Sequence, residues 1–81
     1  MIKTNSKLRN KILNFFFLNE SESIYINKLA RQIEADPKNV YRILIALEND
    51  GILKSVFSGN QRYFGANKKN QLYKYYKELF T

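Results

Sequence analysis

Lys38, Asn39, Tyr41 and Arg42 crowd into the five positions after the chain's single proline, Pro37. These are residue types that hydrogen-bond bases and phosphates. Arginine pairs bidentately with guanine and asparagine with adenine. Lysine suits phosphate, and a helix N-terminus is itself an anion site. A second set, Lys54, Asn60, Gln61 and Arg62, surrounds Gly59, where a flexible tip lets the backbone approach a phosphate or a narrow groove. Arg62 is the strongest candidate there; otherwise it is a cross-strand surface residue. Lys28 is a further candidate for a backbone phosphate, whereas Arg31 reads as solvated or paired with a nearby carboxylate.

Other chemistries lack their residues. The 81-residue chain has no Cys and no His, which removes disulfides, Cys/His metal sites, thiol nucleophiles and histidine bases. Its carboxylates show no pairing. Glu20 and Glu22 share a polar loop, and Glu34, Glu48, Asp50 and Glu78 are scattered over different segments. Asp36 is explained by helix capping, and no glycine-rich phosphate loop is present. The expectation is a non-enzyme with no catalytic residue, no metal and no cofactor. With 14 Lys and Arg against 7 Asp and Glu the formal charge is +7. Lys, Asn, Ile, Phe and Tyr make up about half of the chain, all favoured by A/T-rich codons, so placement of the charge matters more than its sum. The longest apolar run, 12–18, is interrupted by Asn14 and is far short of a membrane span. The expected location is cytoplasmic.

The elements that must position these residues follow from periodicity. Leu8, Ile12, Phe15 and Phe16 form one stripe of a helix over 6–18, with Leu13 and Phe17 left off it. Residues 23–26 are β-prone but short enough to predict no more than a bridge. Asn27 reads as the N-cap of a helix over 28–34, with Leu29, Ala30 and Ile33 inward. Asp36 followed by Pro37 is a helix start, and Val40, Ile43, Leu44 and Leu47 form the buried stripe of a helix reaching about Asp50. Gly51 is a natural terminator. Strands over 52–58 and 61–66 flank Gly59-Asn60, a tight-hairpin signal. Their register stays open, because Val56-Phe57 and Tyr63-Phe64 are both adjacent apolar pairs. A last helix over about 70–80 has the stripe Leu72, Tyr76 and Leu79, flanked by Tyr73, Tyr75 and Phe80.

The fold class expected is mainly α with a small β-hairpin, in one domain over 1–81. The order helix, strand, helix, helix, hairpin, helix suggests a winged helix-turn-helix. The stretch from Leu29-Ala30 through Val40-Tyr41-Arg42-Ile43-Leu44, continued by Leu47-Glu48-Asn49-Asp50-Gly51-Ile52-Leu53, resembles winged-helix transcriptional regulators of bacteria and archaea. It is similar to the ArsR and MarR groups, and Arg62-Tyr63 fits the wing. The resemblance runs over residues 6–80. It departs at Glu34, where the turn often carries Gly, and at Ile45 and Ala46, where polar residues are common.

The resemblance implies a sequence-specific regulator of double-stranded DNA. The helix over about 37–50 would enter the major groove, and the wing over 58–62 would lie on the flanking backbone or minor groove. In the ArsR type the first and last helices pair across a two-fold axis. That implies a homodimer using Leu13, Phe17, Tyr73, Tyr76 and Phe80; the other reading packs these residues within one subunit. An alternative function is a protein-interaction or RNA-associated adaptor, since a fold does not fix a function. No small-molecule effector is indicated.

Overall fold

The computed structural model describes the backbone of residues 3–80 and the side chains of residues 7–79. Its order is α1 (Lys3–Leu18), β1 (Ser23–Tyr25), α2 (Ile26–Gln32), α3 (Pro37–Asn49), β2 (Leu53–Ser58), β3 (Gln61–Ala66) and α4 (Gln71–Phe80). The described residues thus form four helices and a three-stranded antiparallel sheet in the order β1-β3-β2.

Helix α3 is delimited at both ends by local chemistry. The Asp36 carboxylate accepts the Lys38 amide at 2.9 Å, and Pro37 occupies the first turn, where its missing N–H leaves no bond unmade. At the far end the amide of Gly51 bonds the Glu48 carbonyl at 2.9 Å and that of Ile52 bonds Leu47 at 3.0 Å. These are the paired bonds of a Schellman turn, which places Gly51 at φ 85°. A Cβ there would also stand 2.3 Å from the Asn70 side chain.

The same turn closes α2. Ala35 bonds the Ala30 carbonyl and Glu34 bonds that of Arg31, at 2.9 and 3.3 Å. Here the left-handed position is held by Glu34, at φ 56°. The connection keeps the glycine-type turn although its residue is not glycine. The start of α2 differs from expectation. The helix begins at Ile26, its N-cap is Tyr25, and no side chain caps it, so Asn27 lies inside the first turn.

Strand β1 is more than a bridge. Three residues pair with β3: Ser23 with Gly65, Ile24 with Phe64 and Tyr25 with Tyr63. Strands β2 and β3 pair from Leu53 with Ala66 to Ser58 with Gln61. This register puts Leu53, Ser55 and Phe57 on one face of the hairpin with Ala66, Phe64 and Arg62, and puts Lys54 and Val56 on the other with Gly65 and Tyr63.

The core lies between the sheet and the helices and includes Ile12, Phe16, Leu29, Val40, Leu44, Leu47, Ile52 and Phe64, each fully buried. Val40, Leu44 and Leu47 fill it as the periodicity predicts, while Ile43 is only half-buried. Two expectations are corrected. Leu13 is buried with Ile12 and Phe16, because α1 packs on both α3 and β3 and so covers a wide face. In α4 the expected stripe is outside: Leu72 and Leu79 are exposed, Tyr76 is half-buried, and Tyr73 is the residue that enters the core. Its ring lies 5.4 Å from that of Phe17, and its hydroxyl donates to the Glu20 carboxylate. A tyrosine can be buried when its hydroxyl is satisfied.

No helix among the described residues is long and apolar enough to cross a membrane.

Candidate nucleic-acid interface

With Val40, Leu44 and Leu47 committed to the core, the opposite ridge of α3 must face outward. Lys38, Asn39, Tyr41 and Arg42 are all exposed, and Ile45 continues the ridge half-buried. Pro37, Lys38, Tyr41, Arg42 and Ile45 border an open hollow on this ridge. A second groove runs between α3 and the hairpin, bordered by Asn27, Tyr41, Phe57, Asn60, Gln61 and Arg62 among others. Tyr41 belongs to both. The helix ridge and the hairpin tip therefore form one continuous surface, which brings together Lys38, Tyr41, Arg42, Asn60 and Gln61. Asn39 is exposed on the same helix.

Three basic candidates stand differently. Lys54 is exposed on the face of the hairpin turned away from Phe57 and Arg62, so it does not border this groove. Lys28 is exposed in the first turn of α2, next to Asn27, and flanks the groove without bordering it. Arg62 borders the groove, but its guanidinium is engaged within the chain. It pairs with Glu48 at 2.7 Å and donates from Nε to the Ser55 hydroxyl at 3.0 Å. Ser55 in turn donates to the other Glu48 oxygen at 2.6 Å. The rings of Phe57 and Phe64 lie 5.3 and 5.1 Å from the guanidinium carbon. The register brings Ser55, Phe57 and Phe64 onto the hairpin face of Arg62, and α3 supplies Glu48. Arg62 is thus a clamp between hairpin and α3 rather than a free cation at the tip. Glu48, Ser55 and Phe57 were not marked by sequence reasoning. The period-2 spacing of 55 and 57 against 62 and 64 carried the signal, but only once the register was known.

The residues expected between two subunits are mostly used inside one. Leu13 and Tyr73 are buried. Phe17 is half-buried against the Tyr73 ring, and Tyr76 is half-buried with the Arg9 guanidinium 5.8 Å from its centroid. The side chain of Phe80 lies outside the described residues. The large apolar side chains that α4 leaves exposed among the described residues are Leu72, Tyr75 and Leu79, at helical spacing.

Glu20 ties α4 down. It accepts from Tyr73 and pairs with Lys77 at 2.6 Å. Hydrogen bonding to Lys77, then to Tyr73, holds its carboxyl below the usual value. Burial, then the hydrogen bond to Glu20, pushes the Tyr73 phenol above its ordinary range. Among the described residues no group of three or more carboxylates is placed to hold a metal ion.

Comparison with protein-family models, with curated proteins and with solved structures finds no match to this chain.

Proposed function

We propose that this chain is a winged helix-turn-helix regulator that binds specific sequences of double-stranded DNA. Helix α3 enters the major groove, and the β2–β3 hairpin serves as the wing on the adjacent backbone or minor groove. The observation that carries the reading is the sharing of Tyr41 between the α3 ridge and the hairpin groove, with Lys38 and Arg42 exposed beside it. A recognition helix alone would be a solvated face; a basic ridge joined to a projecting hairpin is a surface of the right shape for a duplex. Arg42 and Asn39 are assigned to base edges, and Lys38, Lys28 and the tip around Asn60 and Gln61 to the backbone. Lys54 keeps only a long-range electrostatic role, and Arg62 a structural one.

Two copies pair through the outer face of α4, using Leu72, Tyr75 and Leu79 in place of the residues buried within the subunit. Such a two-fold dimer sets the two recognition helices about 34 Å apart, matching a pseudo-palindromic site. The proposal assigns the protein no catalytic role and places it with the nucleoid.

Selection of bound duplexes from a random DNA pool, followed by fluorescence anisotropy on selected and scrambled duplexes, tests the reading. It expects clear preference for the selected sequence. Equal affinity for both would reduce the protein to a nonspecific binder. The rival reading, an adaptor for protein or RNA, draws on the apolar outer face of α4 and expects no duplex binding through α3.

A further inference from the structure

The ridge of α3 is not uniformly polar. Lys38 and Arg42 line its hollow together with Tyr41, Ile45 and Pro37, and no carboxylate borders it. Tyr41 is 44% exposed, and across the neighbouring groove Phe57 is 73% exposed. The partner that fits must carry negative charge at the rim and small apolar groups between the charges. In the major groove, the C5 methyl of thymine is the apolar group that the base pairs present. A duplex therefore meets both requirements, provided that thymines face α3.

We infer that Tyr41 and Ile45 are specificity-determining residues that read thymine methyl groups, so that the site bound is A·T-containing duplex. The inference rests on the DNA-binding reading above and names the base it selects. Lys38 and Arg42 hold phosphate or guanine at the rim of the hollow. The Tyr41 ring and the Ile45 side chain cover the methyl between them. Desolvating one methyl is worth about a fourfold gain in affinity. Several thymines in a site multiply that factor.

The test uses the full chain and four duplexes of one length, titrated by fluorescence anisotropy at fixed low salt. They are a mixed A·T duplex, the same duplex with deoxyuridine for thymidine, a mixed G·C duplex, and the same duplex with 5-methylcytosine. The last restores a major-groove methyl without changing the pairing. The expected result is weaker binding of the deoxyuridine duplex, by about fourfold or more, and a gain of similar size from 5-methylcytosine. Both differences should fall away in a Tyr41→Ser/Ile45→Ser variant whose fold is checked by thermal melting. If that variant does not fold, Tyr41→Ser alone is used, since its ring is substantially exposed. Equal binding with and without the methyl overturns the inference but leaves DNA binding standing. A methyl effect unchanged in the variant overturns the assignment to these two residues. Binding to none of the duplexes refutes the DNA-binding reading itself.

Discussion

At the turn between α2 and α3, Glu34 carries a left-handed backbone conformation that costs a side-chain-bearing residue about 1–2 kcal/mol. The hydrogen bonds of Glu34 and Ala35 back to α2 hold it there. Glu34→Gly is therefore expected to stabilise the protein by about 1 kcal/mol, less whatever the added chain entropy removes, as read from urea unfolding. At the proposed DNA surface, Arg42→Ala should weaken binding to the selected duplex by about 1–3 kcal/mol and relax specificity at one base position. A pool selection repeated with the variant reads this. Tyr73 offers a pH test. Its pKa is raised on folding, so its contribution is complete below its ordinary value near 10 and is lost as the pH rises above that value. Glu20 has the opposite sign: its pKa is lowered, so its contribution is present above about 4.5 and is lost as the pH falls toward the folded value. Phenolate absorbance on alkaline titration should show a late phase, above the ordinary tyrosine value near 10. The late phase should vanish in Tyr73→Phe.

Elements whose signals are local were legible in the sequence. Asp36-Pro37 marked the start of α3, Gly51 its end, and Val40, Leu44 and Leu47 its buried face, so its outward ridge could be named in advance. The hairpin around Gly59-Asn60 was equally readable. Features set by partners far along the chain were not. Arg62 meets Glu48 from 14 positions away, and which hairpin face meets α3 depends on a register that two adjacent apolar pairs left open. Helix α4 has tyrosines at 73, 75 and 76, and the buried one meets partners far upstream, Phe17 and Glu20, the latter 53 positions before Tyr73. Leu13 lies off the single apolar stripe of α1 yet is buried, because α1 packs on two neighbours. The Glu48–Arg62 clamp belongs to this scale. A double-mutant cycle on Glu48→Gln and Arg62→Met should give a coupling of about 1–2 kcal/mol in unfolding free energy. If the proposed DNA-binding surface holds, DNA affinity should fall with it, because the hairpin loses its fixed angle to α3.

For the whole molecule, the net charge of +7, with Lys38 and Arg42 on the α3 ridge, gives the proposed DNA binding its response to salt. The logarithm of the binding constant should fall linearly with that of salt concentration, by about 0.9 per phosphate neutralised, and Lys38→Ala should reduce the slope by about 1. The proposed association of two copies is separable from this. Leu79→Lys places a charge on the exposed face of α4 and should lower the solution mass by sedimentation without disturbing the core. The central claim is that the α3 ridge and the hairpin tip act as one DNA-binding surface. Amide-shift mapping during titration with a selected duplex tests it most directly. The account predicts the largest shifts at 38–45 and 57–61, with 71–79 nearly unmoved. Shifts confined to 71–79, with 38–45 silent, would contradict it.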